Sequence, residues 1–247
     1  MKDNFSAHSD KYAQFRPVYP DALYDFLLSL VPARDNAWDC GTGNGQVAQV
    51  LVHSFAKIYA TDISRQQIEN AFVHERIEYS VQAAENTSFP DNSFDLITVA
   101  QAIHWFDFGA FYGEVNRTIR GKGVLGVIGY GLIRLSPSLD AVIAAFYRDI
   151  VGPYWDKERR YIDDNYRTIP FPFDEVESPS FENIVEWTFE HLIGYLGTWS
   201  AVKHYEKATE KDPVDLIRDV LKKAWGAKQT TYTGRFPILL RVARIEK

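Results

Sequence analysis

The sequence predicts an α/β fold, in which a mostly parallel sheet lies between two layers of helices and ends in an antiparallel strand. Three observations support this prediction. Short apolar runs alternate with amphipathic helical patterns through about the first 130 residues. The chain has 247 residues, of which 46% are hydrophobic and 24% charged. Finally, it contains no internal repeat. A chain of this size buries a substantial core without needing disulfides or structural metals.

Apolar runs predict the strands, and apolar positions at helical spacing predict the helices between them. The run at 94–99 is almost wholly apolar, as expected for a central parallel strand. Ser64 followed by Gln67 forms a capping-box pattern, which predicts the start of a helix after the second strand. The predicted strands of the first half are residues 37–40, 58–61, 77–81, 94–99 and 124–128.

The second half has a different character, because prolines interrupt it and aromatic residues gather in it. We therefore predict three parts. Residues 1–132 form an N-terminal cover and the ligand-binding core, and residues 133–226 form a partly helical cap inserted near the C-terminal end of the sheet. Residues 227–247 return to the core as its closing strand.

Composition and charge exclude several classes of partner. The net charge is −6 and no run of Lys or Arg occurs, so binding to nucleic acid is not expected. The longest uncharged stretches, 96–106 and 123–133, are shorter than the roughly 20 residues that cross a bilayer. The N-terminus lacks the apolar core of a signal peptide. With Cys40 as the single cysteine, these features predict a cytoplasmic protein without membrane contact.

The strongest chemical signal is a glycine-rich corner between the first strand and the following helix. Gly41, Gly43 and Gly45 alternate there, and glycine lets a ligand approach the main chain closely. Asp62 ends the second strand about 20 residues later, where an acid accepts hydrogen bonds from a ribose diol. Together these features predict a nucleoside site.

The spacing of the glycines argues against other nucleotide sites. The dinucleotide pattern G-x-G-x-x-G requires a third glycine where this chain has Gln46, and no lysine follows for a phosphate loop. A nucleoside without phosphates is therefore favoured. The sequence also lacks H-E-x-x-H and G-x-S-x-G, so neither a metal site nor a serine hydrolase is predicted.

At these positions the chain resembles the class I, Rossmann-like S-adenosylmethionine-dependent methyltransferases, specifically the type 11 group. The resemblance covers most of the first 130 residues and rests on segments 39–45, 61–64, 84–91 and 93–97. It implies S-adenosylmethionine as the methyl donor. Many relatives have an aspartate where this chain has Ala83, which shifts the adenine contact to Glu85 or to the backbone. The donor-binding residues implied here are Asp39, Gly41, Gly43, Asp62, Ile63, Ala84 and Glu85.

Two further segments, 12–20 and 101–106, are similar to the trans-aconitate-methyltransferase-like proteins. This similarity implies that Tyr12, Arg16 and Gln101 contact the donor, with the Arg16 guanidinium paired to the donor carboxylate. It also places His104 and Trp105 beside the methyl acceptor. His104 follows the fourth strand, at the sheet edge where α/β proteins bind ligands, and is the candidate general base.

The sequence therefore predicts methyl transfer to a small molecule, on a carboxylate or hydroxyl oxygen. A carboxylate acceptor is ionised near pH 7 and needs no base, whereas a phenol or an amine would use one. Three alternatives stay open: a non-catalytic S-adenosylmethionine sensor or complex subunit, a nicotinamide-dependent oxidoreductase, and a methyltransferase for macromolecules. The sequence gives no indication of the oligomeric state.

Overall fold

The computed structural model describes residues 15–247 and confirms the predicted α/β architecture. A seven-stranded sheet has the order β3-β2-β1-β4-β5-β7-β6. Strands β1 to β5 pair in parallel, and β7 is antiparallel to both β5 and β6. The strands are β1 Asn36–Cys40, β2 Lys57–Asp62, β3 Ile77–Val81, β4 Phe94–Ala100, β5 Ile119–Tyr130, β6 Glu182–Trp187 and β7 Tyr232–Glu246.

Helices cover both faces of the sheet, as predicted. The α-helices span Asp21–Leu30, Gln46–Leu51, Arg65–Glu69, Phe108–Thr118, Pro137–Ala145, Arg160–Asp163, Phe189–Gly197, Ser200–Thr209 and Arg218–Trp225. Short 3-10 or π turns occupy Ile103–Trp105, Phe146–Ile150, Gly152–Tyr154, Lys157–Arg159 and Pro213–Leu216. The predicted capping of Arg65–Glu69 is confirmed, because the Ser64 side chain accepts a hydrogen bond from the Gln67 amide at 3.3 Å.

Alternation along the strands produces two hydrophobic cores, one on each face of the sheet. In β1, Ala37 packs into one core and Trp38 into the other. In β4, Leu96 and Ile97 divide in the same way, and all four side chains are fully buried. Burial on both faces explains why the central strands read as continuous apolar runs.

The part of the chain predicted as a cap also contributes a strand to the sheet. Glu182–Trp187 forms β6, which pairs with β7 and lies at the edge of the sheet. Sequence reasoning missed it because an edge strand is only half buried: Ile184, for example, is 55% exposed. The remainder of 133–226 is mainly helical. The division into 1–132, 133–226 and 227–247 stays a prediction.

The parallel strands place their C-terminal ends along one edge of the sheet. Cys40, Asp62 and Ala100 end β1, β2 and β4 respectively, and these strands are neighbours. Residues that follow them in the chain therefore converge at this edge, where open α/β sheets bind ligands.

Candidate functional site

The glycine corner after β1 requires the conformational freedom of glycine. Gly41, Gly43 and Gly45 have φ of +67°, +57° and +86°, in the left-handed region that other residues rarely adopt. A Cβ on Gly41 would lie 2.6 Å from the Cβ of Ala102, whereas one on Gly43 would meet no atom within 4 Å. The corner therefore packs tightly at Gly41 and opens into space at Gly43.

The carboxylate of Asp39 stabilises the glycine corner by hydrogen bonds. Its carboxylate accepts hydrogen bonds from the Thr42 hydroxyl at 2.5 Å, the Thr98 hydroxyl at 2.9 Å and the Ala48 amide at 3.2 Å. Burial raises the pKa of Asp39 to about 6, although these hydrogen bonds oppose the shift. The side chain is only 1% exposed, so its described contacts organise the loop and the start of the next helix.

Asp62 lies at the end of β2, as the sequence predicts, beside the glycine corner. One carboxylate oxygen accepts a hydrogen bond from the Gly43 amide at 2.9 Å, and the other accepts one from the Ser64 amide at 2.8 Å. Each carboxylate oxygen has more than one acceptor site, so the group retains capacity for the hydroxyls of a sugar. The acid and the glycine loop form one connected unit.

Above this unit lies a cleft of about 870 Å³, counting its open mouth, which we call the glycine cleft. From the first βαβ unit, the cleft is lined by the predicted residues Asp39, Gly41, Gly43, Asp62 and Ile63. A carboxylate at the end of β2, a glycine-rich loop and open space above Gly43 all fit an adenosine-containing ligand.

Arg16 closes one side of the glycine cleft and joins the sheet to the second half of the chain. Its guanidinium donates to the Tyr130 hydroxyl at 2.8 Å and to the Thr198 carbonyl at 3.1 Å, and it lies 5.8 Å from the centre of the Tyr195 ring. This position is compatible with its predicted contact to the donor. The predicted site residue Tyr12 lies outside the described residues.

Gln101, immediately after β4, has a strained backbone. Its φ is +53°, an uncommon value for a residue with a side chain. Its backbone amide donates to the Ile128 carbonyl at 2.9 Å, and its side-chain Nε2 donates to the Tyr130 carbonyl at 3.1 Å. These bonds to β5 hold the side chain at the edge of the glycine cleft. Strain of this kind persists where the surrounding structure fixes it, often at functional sites.

A second cavity of about 460 Å³, counting its open mouth, adjoins the glycine cleft. We call it the aromatic cavity, because Trp105, Trp155 and Trp199 form much of its wall. Arg16, Gln101 and Trp105 line both spaces and so mark their common boundary. The structure thus places the glycine cleft directly beside a smaller chamber with aromatic walls.

His104 faces the aromatic cavity from the turn after β4. It is 6% exposed, and burial together with the positive charge of Arg159 lowers its pKa to about 3. The ring is therefore neutral at physiological pH. Its Nδ1 lies 3.4 Å from the Tyr166 hydroxyl, and its ring centre lies 4.9 Å from that of Trp105. A neutral imidazole offers a hydrogen bond to an acceptor, whereas its low pKa makes it a weak proton acceptor.

Two predicted adenine neighbours lie apart from the glycine cleft. Ala84 is 2% exposed and packs into one of the hydrophobic cores, and Glu85 accepts a hydrogen bond from the Asp107 amide at 3.1 Å. Neither side chain lines the cleft in the described part of the chain. Their contact with the donor stays a prediction.

Sequence reasoning missed several residues of these cavities. Tyr130 forms hydrogen bonds with Arg16 and with Gln101, and Tyr166 contacts His104. All three contacts join residues that are far apart in the chain, so local sequence patterns do not indicate them. Arg159 lines the aromatic cavity, whereas the adjacent Arg160 does not, although the two arginines have the same local sequence context. A single sequence does not distinguish two adjacent arginines, and only the packing of the chain does so.

Comparison with known proteins identifies the family. The methyltransferase domain family matches residues 38–127, which contain the glycine corner and Asp62. A Dictyostelium discoideum protein named as a methyltransferase is 37% identical over 227 residues, covering 90% of this chain and 86% of the relative. The chain belongs to the class I S-adenosylmethionine-dependent methyltransferases. It is an enzyme of this class, and its methyl donor is S-adenosylmethionine.

Solved structures of methyltransferases share the fold. A protein from Anaeromyxobacter dehalogenans named as a type II methyltransferase superposes with a TM-score of 0.86 at 39% identity, covering 94% of this chain and 100% of that one. A Haemonchus contortus phosphoethanolamine N-methyltransferase, solved with S-adenosylhomocysteine, has a TM-score of 0.51 at 16% identity, covering 98% of this chain and 58% of that one. This second likeness concerns the fold alone. The similarity to trans-aconitate-methyltransferase-like proteins stays a prediction.

No helix of residues 15–247 combines the length and the apolar character required to span a bilayer. In the same range, no three or more His, Cys, Asp or Glu side chains are grouped so as to hold a metal ion.

Proposed function

We propose that this methyltransferase acts on a small molecule and transfers the methyl group to a carboxylate or hydroxyl oxygen. The observation that carries the proposal is the continuity between the glycine cleft and the aromatic cavity. Arg16, Gln101 and Trp105 line both spaces, so a donor in the glycine cleft and an acceptor in the aromatic cavity would meet at these residues. The wall of the aromatic cavity is formed by residues from separate segments of the chain, which favours a small molecule over a folded macromolecule as the acceptor.

The chain contributes position and a dry environment to the reaction. When bound, S-adenosylmethionine supplies a sulfonium-activated methyl group. The acceptor oxygen forms the new O–CH3 bond with its own electron pair, and the electrons of the broken C–S bond stay on sulfur. A carboxylate thereby becomes a neutral ester, and a hydroxyl acceptor also releases one proton to water or to a base. Such displacements depend on holding three atoms in line, which the adjoining cavities favour.

Aromatic walls support this role in a second way. Trp105 lies at the boundary of the two spaces, with Trp155 and Trp199 behind it in the aromatic cavity. Indole faces attract cations and exclude water, and both effects suit a sulfonium centre. The neutral imidazole of His104 would orient an acceptor by a hydrogen bond. Proton removal by His104, the sequence prediction, is less favoured by its pKa of about 3.

We further propose a cytoplasmic protein that binds neither nucleic acid nor membranes. The net charge of −6 supports the absence of a nucleic-acid partner, and the single buried thiol of Cys40 suits a reducing compartment.

The test is methyl transfer from S-adenosylmethionine carrying a radiolabelled methyl group, with a cell extract separated into small-molecule and macromolecular fractions. We expect label in the small-molecule fraction, released as methanol by alkali if the product is a carboxylate ester. Asp62→Ala should abolish the transfer, and Asp215→Ala, on an exposed side chain elsewhere, should not. Transfer only to macromolecules would contradict the proposal. Donor binding without any transfer would instead indicate the non-catalytic sensor.

A further inference from the structure

Arg159 occupies a distinctive place in the aromatic cavity. It ends the 3-10 turn Lys157–Arg159 and lines the aromatic cavity but not the glycine cleft. Its positive charge contributes to lowering the pKa of His104, so the two side chains are close enough to interact. A cation therefore lines the aromatic cavity outside the glycine cleft.

The guanidinium of Arg159 is held in a fixed orientation. Its Nε donates to the Tyr147 hydroxyl at 2.8 Å, and that hydroxyl donates to Asp163 at 2.6 Å. The guanidinium carbon lies 4.7 Å from the centre of the Trp155 ring and 5.3 Å from that of Tyr147. Trp155 is itself fixed, because its indole nitrogen donates to the Tyr147 carbonyl at 3.2 Å. The group is thus oriented before any ligand arrives, which lowers the entropic cost of binding.

The two terminal nitrogens of the Arg159 guanidinium are available to bind a ligand. In the described part of the chain, the side-chain hydrogen bond of Arg159 is donated by Nε, and the 3.6 Å ion pair with Asp163 also involves Nε. The two terminal nitrogens have no protein partner there, and the side chain is 20% exposed. Two parallel N–H donors on a planar, permanently charged group match the two oxygens of a carboxylate.

We propose that the methyl acceptor carries a carboxylate that Arg159 binds as an anchor, while a second oxygen of the same molecule receives the methyl group. This inference rests on the proposed function and adds the substrate class to it. The anchor is distinct from the nucleophile because Arg159 does not line the glycine cleft. The second oxygen lies at the boundary residues Gln101 and Trp105.

Other groups in the cavity narrow the class of acceptor. Asp156 lines the same cavity, and its carboxylate would repel the two charges that phosphate carries on one group more strongly than the single charge of one carboxylate group. Trp155 and Trp199 have ring centres 5.6 Å apart and provide flat apolar surfaces. The expected substrates are therefore compact molecules with a planar body, either hydroxy acids or dicarboxylic acids.

The experiment measures binding of a defined panel to the protein saturated with S-adenosylhomocysteine. The panel contains hydroxybenzoic, hydroxyphenylacetic and short dicarboxylic acids, each beside its primary amide, together with inorganic phosphate. Calorimetry is run on the wild type, Arg159→Gln, Arg159→Lys and Arg160→Gln. Arg160 is the matched control, since it is the adjacent arginine and its described hydrogen bond is to Tyr161. Binding of S-adenosylhomocysteine alone verifies that each variant is folded.

We expect acids of the panel to bind the wild type at least about tenfold more tightly than their amides, as a charge-assisted pair predicts. Arg159→Gln should remove this preference, Arg159→Lys should retain part of it, and Arg160→Gln should retain all of it. The inference is overturned if no acid binds, if phosphate binds better than the acids, or if Arg159→Gln keeps the preference. Failure of the proposed function would look different, because the radiolabelled methyl group would then reach only macromolecules or no acceptor at all, whereas the panel tests the binding of acids alone.

Discussion

The carboxylate of Asp62 accepts a hydrogen bond of 2.9 Å from the backbone amide of Gly43. This contact joins the end of β2 to the glycine corner that follows β1. Because the other carboxylate oxygen accepts from the Ser64 amide at 2.8 Å, the side chain has a fixed orientation at the edge of the glycine cleft. The acid proposed to bind the ribose is thus positioned by the glycine corner.

Alanine substitutions at Gly41 and Gly43 should have different effects on stability and on ligand binding. Both substitutions place a side chain at positive φ, which costs about 1–2 kcal/mol. Gly41→Ala should lose more stability than Gly43→Ala, because its Cβ would lie 2.6 Å from that of Ala102. Gly43→Ala adds a methyl group at a residue lining the cleft and should weaken S-adenosylhomocysteine binding. Urea unfolding and calorimetry measure the two effects, and equal behaviour of both variants would contradict this description of the corner.

Asp95→Ala should destabilise the protein without affecting the donor. Asp95 is 1% exposed, accepts from the Asp35 and Asn36 amides at 2.8 and 3.0 Å, and pairs with Arg120 at 2.7 Å. Removing it deprives both amides of this acceptor and leaves Arg120 with its ion pair to Asp35 alone, which should cost about 3 kcal/mol. Urea unfolding tests the loss. Because Asp95 lies at the start of β4, at the far end from the cleft, a change in S-adenosylhomocysteine affinity would argue against its purely structural role.

The energetic cost of the positive φ at Gln101 is measured by comparing its glycine and alanine variants. Glycine adopts the φ of +53° freely, whereas alanine does not, and both variants lose the side-chain bond to the Tyr130 carbonyl. Gln101→Gly should therefore be about 1 kcal/mol more stable than Gln101→Ala in urea unfolding. Alanine as stable as glycine at this position would show that the left-handed conformation is not maintained.

His104→Gln should change how stability depends on pH. The ring has a pKa of about 3 in the folded protein because it is buried, against about 6.5 when unfolded. Its contribution to stability is therefore fully present above pH 6.5 and is lost as the pH falls towards 3. The difference in unfolding free energy between wild type and variant should shrink by about 2 kcal/mol from pH 6.5 to pH 5.

Chemical denaturation at the two pH values measures this difference. The raised pKa of Asp39 acts in the opposite direction, but it is common to both proteins and cancels. A difference that stays constant with pH would mean that the His104 ring is hydrated and titrates normally.

Local sequence signals were sufficient for the first half of the fold. The predicted strand at 77–81 coincides with β3, because its apolar residues Ile77, Tyr79 and Val81 alternate with polar ones. β5 extends from Ile119 to Tyr130, well beyond the predicted 124–128, since pairing with β7 stabilises residues that look like a loop on their own. β6 was missed for the same reason: long-range pairing determines it.

The candidate site divides in the same way. The glycine corner and Asp62 are recognisable because one βαβ unit brings them together, and that unit is encoded by a continuous stretch of chain. The aromatic cavity combines His104 with Arg159 and Trp199, which come from separate segments. Its residues are ordinary aromatics and arginines until the fold places them around one space.

Calorimetric titration of S-adenosylhomocysteine into the wild type, Asp62→Ala and Asp215→Ala tests the identity of the glycine cleft most directly. We expect the wild type and Asp215→Ala to bind alike, and Asp62→Ala to lose at least about tenfold in affinity, because the ribose loses a charged hydrogen-bond partner. Equal affinity of the wild type and Asp62→Ala, or no binding by the wild type at millimolar ligand, would contradict the assignment of the glycine cleft as the donor site.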